Sequence, residues 1–368
     1  MMKLLFYIHS LSGGGAERVM VTLMNTFVTQ GHDVRVVYTA SLDKPVYDLH
    51  FNIEQVYMQS KCPLQSHSIL AKIFRRVWKY SAIRKQAKVY NPDFLISFIK
   101  ENNNDVLISL LGSGIPVIVG DHTNVDRKYK WRTSMLSKFL YPTAAAITML
   151  TMKDYEKWKN KYKNVFYIPN PCDIKPTHKS HTRRKVVLGV GRVNAWNIKG
   201  FDLLIKAWDQ IKDRHPDWIC QIAGTYSDNS LNSLRQQAGD NAFSSVEFIG
   251  FRSDIHEYME SCEVFCLSSR IEGMPMVLLE AMNLNCACVS FDCNTGPSEM
   301  INDKITGLLV KDQDVVELAN SLDEVISNSE LRRTIQVNAP MSVEKYLTKN
   351  VICMWYHMFN ELTYEKNN

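Results

Sequence analysis

Two glutamates set the chemistry to be explained. Glu272 and Glu280 lie in Ser268-Ser-Arg-Ile-Glu272-Gly-Met-Pro275-Met-Val-Leu-Leu-Glu280-Ala-Met282. The apolar run before them, Val264-Phe-Cys-Leu267, reads as a buried strand, and Met276–Met282 is a run of good helix formers with no breaker. Pro275 suits the first helical position, where its missing N–H costs nothing. The amides of Gly273 and Met274 then sit at the positive end of a helix, which binds anions and hydroxyl oxygens. Glu280 falls about 7–8 Å along that helix. Carboxylates staggered in this way can grip two separate polyhydroxylated parts of one extended ligand. The plainer alternative is one Glu favouring the helix dipole and another on an exposed helix face. A second set is cationic. Arg192 ends the strand-like Val186-Val-Leu-Gly-Val-Gly191, and Lys199-Gly-Phe-Asp202 opens a helix carrying Leu203, Leu204 and Trp208. An Arg and a Lys near a helix N-terminus form an electrostatic clamp for a diphosphate.

The Glu pair, the Gly-x-Pro turn and the Leu-Leu-Glu-Ala helix together resemble the signature of retaining glycosyltransferases of the GT-B architecture, in particular the large bacterial family 4. Gly14-Gly15-Ala-Glu17-Arg18, Ile168-Pro-Asn-x-x-Asp173 and Lys199-Gly-Phe-Asp202 are similar to family sequences at the corresponding places. The resemblance runs through nearly the whole chain, strongest over 192–309 and weakest over 41–90. It implies a metal-independent hexosyltransferase with no cofactor and a nucleotide-diphosphate sugar as co-substrate. Arg192 and Lys199 would neutralise the leaving diphosphate, and Glu280 would hold the ribose hydroxyls. Glu272 and the Gly273–Met274 amides would hold the sugar, with Pro275, Met276 and Val277 in the same donor site. His122 would contact the sugar from the other domain, and the Gly14–Gly15 backbone would face the diphosphate or the acceptor. Phe251 and Arg252 would lie near the base. Thr295 and Gly296, in Thr-Gly-Pro-Ser-Glu299, would touch donor phosphate or sugar. That last stretch resembles relatives that use UDP-hexoses or UDP-N-acetylhexosamines.

The elements that must position these residues alternate strand and helix through both halves, the pattern of doubly wound parallel sheets. The expected fold is α/β, with two Rossmann-like domains facing each other across a cleft. Residues 1–170 form the N-terminal, acceptor-side domain and 171–345 the C-terminal, nucleotide-sugar-binding domain. A final helix, 346–368, crosses back to the first. The prolines of Ile168-Pro-Asn-Pro171 and the polar tract 175–185 mark the junction. In the first half, three glycines separate strand one from a helix ending at Gly31, a turn that lets backbone approach a phosphate or sugar closely. It is not G-x-G-x-x-G, and no acidic residue ends the strand Val34–Tyr38, which argues against a dinucleotide. The strand Ile115–Gly120 runs into Asp121-His122-Thr123-Asn124, at the strand end where open α/β sheets place their sites.

Between Gln55 and Pro92 there is no Asp or Glu, while Lys61, Lys72, Arg75, Arg76, Lys79, Arg84, Lys85 and Lys88 all fall there. Ile69, Leu70, Ile73, Phe74, Val77 and Trp78 recur among them at helical spacing. Such a basic amphipathic helix can lie on an anionic membrane surface or grip a pyrophosphate, so Lys72, Arg75, Arg76 and Lys79 are candidate acceptor or membrane contacts. The alternative is an apolar face packed on the domain beneath solvated cations. A second cluster, Arg127-Lys-Tyr-Lys-Trp-Arg132, favours a negatively charged acceptor such as a polyprenyl-diphosphate-linked glycan. No nucleic-acid motif accompanies either cluster.

Composition bounds the rest. The 368 residues, 45% hydrophobic and 22% charged, suit two ordinary globular domains. Nine scattered cysteines without a C-x-x-C pair point to reduced core thiols. The start Met-Met-Lys-Leu-Leu-Phe-Tyr-Ile-His9 reads as a buried strand rather than a leader, and no run of about eighteen apolar residues occurs. The expected location is cytoplasmic, peripheral on the inner face of the membrane. Asp312-Gln-Asp314 is a possible metal pair but reads better as an acidic helix N-cap, so no metal site is expected. A UDP-sugar 2-epimerase of the same architecture and a non-catalytic nucleotide-sugar-binding module are the two competing functions.

Overall fold

The computed structural model describes residues 1–11, 14–40, 47–58, 68–122, 130–174 and 182–367. Residues Met1–Pro171 with Val351–Asn368 form one compact unit, and Cys172–Asn350 form another. The chain passes between them within the proline-rich stretch noted above.

The first unit is built on a seven-stranded sheet. Its strands are Lys3–Ile8 (β1), Asp33–Tyr38 (β2), Glu54–Tyr57 (β3), Phe94–Phe98 (β4), Val117–Gly120 (β5), Ala146–Met149 (β6) and Val165–Tyr167 (β7). The order is β3-β2-β1-β4-β5-β6-β7, and every pairing is parallel. Both faces of a parallel sheet are covered, so its strands read as apolar runs, and β4 is buried at all five positions. The helix Gly15–Thr29 buries Met20, Leu23, Met24 and Phe27 at i, i+3, i+4 and i+7. Phe27 in turn packs on Trp355 and Phe359, ring centroids 6.2 and 5.8 Å away, so the helix Thr348–Asn367 joins this core.

The second unit holds six parallel strands: Arg184–Val190 (β8), Ile219–Ala223 (β9), Val246–Gly250 (β10), Cys262–Leu267 (β11), Ala287–Phe291 (β12) and Leu308–Val310 (β13). Their order is β10-β9-β8-β11-β12-β13. Eight cysteines are described; all are free thiols and seven are buried. In both sheets the strand order reverses once, between β1 and β4 and between β8 and β11. At such a switch point the chain leaves neighbouring strands in opposite directions and opens a crevice at their carboxyl ends. No helix among the described residues is long and apolar enough to cross a membrane.

Candidate active site

In the second unit, β8 and β11 are adjacent, so the segments leaving their carboxyl ends meet although they are far apart in sequence. Lys199 Nζ lies 2.7 Å from Glu272 Oε1, with the two side chains 21% and 11% exposed. The loop carrying Glu272 is tied down on several sides. The Ser268 hydroxyl donates to the Lys199 carbonyl (3.0 Å) and the Thr295 hydroxyl to the Glu272 carbonyl (2.7 Å). The Arg270 backbone N–H donates to the Ile198 carbonyl, and its guanidinium forks onto both oxygens of buried Asp202 at 2.7 Å each. Two glycines complete the fit. Gly200 has φ +65, and a Cβ there would stand 1.8 Å from the Ser268 carbonyl oxygen. Gly296 has φ +104, and a Cβ there would stand 2.6 Å from the Pro275 ring. Backbone thus packs on backbone along the whole turn, which leaves Glu272 and Lys199 little freedom.

Two details differ from expectation. Pro275 is the N-cap rather than the first helical residue, the helix being Met276–Asn283. Lys199 closes a short helical turn, Trp196–Lys199, and the next helix opens at Phe201. The long Arg192-to-Lys199 gap is taken up by that turn and by the 3-10 turn Val193–Ala195, whose N-cap is the exposed Arg192. Glu280 is buried, with its Oε2 3.3 Å from His256 Nε2. Ser269, also buried, has no hydrogen-bond partner for its hydroxyl among the described residues.

In the first unit, His122 follows β5 with its ring 3.7 Å, centroid to centroid, from that of Phe98. Burial pulls its pKa down to about 3, and Asn170 opposes that shift. It is therefore a neutral imidazole near pH 7, able to hydrogen-bond without adding charge. Asp121 pairs with Lys100 at 3.2 Å, both side chains buried, which accounts for Asp121 as a structural ion pair. Ile99, after β4, has φ +75, an unusual backbone state for a β-branched residue beside the switch point. Gly14 is the N-cap of the first helix, and its N–H donates to Glu17 Oε2 at 3.1 Å. Gly15 opens that helix, and among the described residues nothing lies within 4 Å of where its Cβ would be.

Residues 13–176 match the family model described as Glycosyltransferase Family 4, and residues 173–341 match Glycosyl transferases group 1. The chain belongs to these glycosyltransferases. An uncharacterized glycosyltransferase of Haemophilus influenzae is 28% identical over 361 residues, 96% of this chain and 99% of its own. A second relative, from Campylobacter jejuni, is the GalNAc-alpha-(1->4)-GalNAc-alpha-(1->3)-diNAcBac-PP-undecaprenol alpha-1,4-N-acetyl-D-galactosaminyltransferase. It is 26% identical, covering 98% of this chain and 99% of its own. Among solved structures, TarM of Staphylococcus aureus superposes with a TM-score of 0.79 at 14% identity, over 98% of this chain and 100% of that one. Anabaena HepE with UDP superposes with a TM-score of 0.77 at 18% identity, over 98% and 100%. At these identities the likeness establishes the GT-B fold.

The other expected residues of this glycosyltransferase are spread more widely. Met274 is buried against the turn, while Gly273, Met276 and Val277 are half-buried. Phe251 is 69% exposed after β10, and Arg252 forks onto Asp254 at 3.1 Å while lying over the Tyr258 ring. Asp314 caps the helix Val315–Ser327, accepting from the Glu317 N–H, as the N-cap reading requires. Lys61, Thr123, Asn124 and the 127–129 part of the second basic cluster lie outside the described residues. Lys72, Arg75, Arg76 and Lys79 lie on the helix Ile69–Tyr90 and line one pocket. Five apolar residues in the first half of that helix stay in solvent, Ile69 and Leu70 each 77% exposed with Ile73, Phe74 and Val77 exposed too, while Ile83, Ala87 and Tyr90 in its second half pack on the core. Asp202, Arg270, His256 and Ser269 were not foreseen. Only Asp202 carried a sequence signal, its place in Lys-Gly-x-Asp.

Proposed function

We propose that this glycosyltransferase moves a hexose or N-acetylhexosamine from a UDP-sugar, with retention and without a metal. Its acceptor is a glycan or a polyprenyl-diphosphate-linked oligosaccharide in cell-surface polysaccharide or glycolipid assembly. The observation that carries this reading is the Lys199–Glu272 pair at adjoining strand ends. The reaction must let a diphosphate leave an anomeric carbon through an oxocarbenium-like state, so negative charge grows on the leaving phosphate. Lys199 and Arg192, with the amides before the helix Met276–Asn283, supply fixed positive charge where it grows. Glu272, released as Lys199 turns to the phosphate, accepts from sugar hydroxyls. Buried Glu280 accepts from the ribose, and His256 at 3.3 Å limits the ways its carboxylate can turn. Neutral His122 holds a sugar hydroxyl. The departing phosphate oxygen takes the acceptor's proton on the face from which it leaves, which preserves the anomeric configuration.

Related proteins support the substrate class: one relative is named for an undecaprenyl-diphosphate acceptor, and the TarM and HepE structures hold UDP. The exposed apolar and basic residues of the helix Ile69–Tyr90 support work at an anionic membrane face in the cytoplasm. A panel of nucleotide sugars tests the reading, scored for UDP release with and without lipid-linked acceptors, with EDTA present. Acceptor-dependent UDP release in EDTA, with an α-linked product from an α-linked donor, is the expected result. Acceptor-independent formation of an epimeric UDP-sugar would make the protein an isomerase. UDP binding without turnover of any donor would make it a binding module.

A further inference from the structure

We propose that Cys262 and Cys286 in the second unit are an oxidation site: hydrogen peroxide converts the two thiols into a disulfide that closes the segment carrying Glu272 and Glu280. Their sulfurs are 3.7 Å apart, and both residues are buried. Cys262 opens β11, and Cys286 stands just before β12, whose Ala287 pairs with Val264. Neighbouring strands run about 4.8 Å apart, which puts the two backbones within the span that a disulfide bridges. Closing 3.7 Å to the roughly 2 Å of an S–S bond is a movement of side chains rather than of strands.

The surroundings make the two thiols unequal. Half-buried Arg183 donates to the carbonyl oxygens of Cys262 (2.5 Å) and Leu284 (2.8 Å), so one guanidinium clamps both ends of the segment beside the sulfurs. Both sulfurs also lie against the Met259 carbonyl oxygen, at 3.3 and 2.9 Å. Burial pushes the Cys286 thiol up, but Cys262 and Arg183 more than offset it and leave Cys286 below its ordinary value. Cys262 is held well above its own, first by its contact with Cys286 and then by burial. One member of the pair is the readier thiolate and the other keeps its proton, which is the division between an attacking and a resolving cysteine. Arg183 reaches solvent while touching the Cys262 backbone, so a molecule little larger than water has a short way to the pair.

The chemistry balances with peroxide as the only oxidant. The Cys286 thiolate attacks one peroxide oxygen, the O–O bond breaks, and the leaving hydroxide takes up the proton that Cys286 gave off and becomes water. Cys286 is then a sulfenic acid. The Cys262 sulfur attacks the Cys286 sulfur, the S–O bond breaks, and the departing hydroxide takes the Cys262 proton as a second water. Together the thiols lose two electrons and two protons, and one peroxide gains both. The bond forms at the amino ends of β11 and β12, the opposite end of the sheet from Glu272. It joins the two ends of a stretch made of β11, the Glu272 turn and the helix Met276–Asn283, and leaves the donor-site side chains in place. Its effect is to restrict how far that stretch opens, because a cross-link removes freedom from the unfolded chain.

Peptide mapping of the full chain tests the proposal without requiring turnover. The protein carries C62S and C353S, which remove the exposed cysteine among the described residues and the one that lies outside them. The folded protein is treated with hydrogen peroxide, quenched with catalase and N-ethylmaleimide, and digested with trypsin without reduction. The tryptic peptides Ser253–Arg270 and Ile271–Lys304 should appear joined, two hydrogens lighter than their sum, and dithiothreitol should separate them. Fragmentation should place the bond between Cys262 and Cys286. The thermal unfolding midpoint of the oxidised protein should stand about 4 °C or more above that of the reduced protein. C288S should keep the joined peptides and C286S should lose them; if C286S does not fold, fragmentation of the parent decides the assignment. The proposal is overturned by joined peptides that appear only after urea has opened the protein, or by a bond through Cys266 or Cys288. Cys286 passing on to sulfinic acid while Cys262 stays open to alkylation overturns it too, as does the absence of any joined peptide. A bond that forms and leaves the unfolding midpoint unchanged or lowered overturns the closure of the segment.

Discussion

The helix Ile69–Tyr90 of the first unit and the turn after β11 in the second arrange charge in different ways. In the second, cations and carboxylates meet in pairs: Lys199 with Glu272, Arg270 with Asp202, Arg252 with Asp254. In the first, Lys72, Arg75, Arg76 and Lys79 share one helix face, and among the described residues the one carboxylate bonded to any of them is Asp105, on Lys79. A paired site is nearly neutral until a ligand trades places with one partner, so it discriminates by geometry. An unpaired stack attracts anions at a distance.

The sharpest way to break this contrast is to disturb the packing that enforces pairing. Gly200→Ala places a Cβ against the Ser268 carbonyl in a left-handed backbone state and should destabilise the second unit by about 2–4 kcal/mol. Gly15→Ala, where the space is open, should change stability by less than about 0.5 kcal/mol. Urea unfolding of the two variants measures the difference. Equal midpoints would mean that the loop carrying Glu272 is not wedged as described.

Next in size is Asp202→Ala, which strips the half-buried Arg270 guanidinium of its fork and should cost about 2 kcal/mol. Asp202 touches nothing that reacts, so it acts as a positioning residue. With the loop loosened, kcat should fall more than donor KM rises, and Asp202→Asn should recover part of the loss. A normal kcat in Asp202→Ala would show that the Ser268 and Thr295 hydrogen bonds hold the loop alone.

How much of this was readable beforehand depends on how local each feature is. The turn from β11 to the helix Met276–Asn283 was readable because its pattern changes period at a proline within a dozen residues. The Lys199–Glu272 contact was not, since it spans 73 positions and follows from β8 lying beside β11. β3 was missed for the same reason in miniature: Glu54–Tyr57 is four mostly exposed residues at a sheet edge, with no apolar run to announce it. On the helix Ile69–Tyr90 the apolar spacing was read as the packed face or a membrane face. The face turned to the strands is instead the one that begins with lysine and arginine, a choice made by Ile83, Ala87 and Tyr90 further along. His256 reaches Glu280 only because two helices cross, and neither residue's surroundings in sequence suggest it.

Lys199→Ala tests the exchange of partners directly. With saturating UDP-sugar, turnover should fall at least tenfold, about 1.4 kcal/mol or more of lost transition-state stabilisation. The same substitution leaves Glu272 without its cation, so donor KM should change less than kcat. An unchanged kcat would remove Lys199 from the departure of the diphosphate and leave Arg192 and the helix amides to support it.

Acid should separate the units by the smallest but cleanest margin. Burial lowers the His122 pKa from its ordinary 6.5 to about 3, so between those values the unfolded chain binds a proton that the native chain refuses. The stability that depends on neutral His122 is therefore complete above about pH 6.5 and is lost progressively as the pH falls toward 3. Because the side chain is only partly screened from water, a loss of about 1–2 kcal/mol by pH 5 is the reasonable size. His122→Gln should flatten that slope in urea midpoints taken at pH 7 and pH 5. It should leave no inflection near 6.5 missing from the pH profile of kcat, because wild-type His122 does not titrate there. A wild-type kcat inflection near 6.5 that the variant abolishes would show His122 exchanging protons in the working enzyme. Its contact with Phe98 would then have to open during turnover.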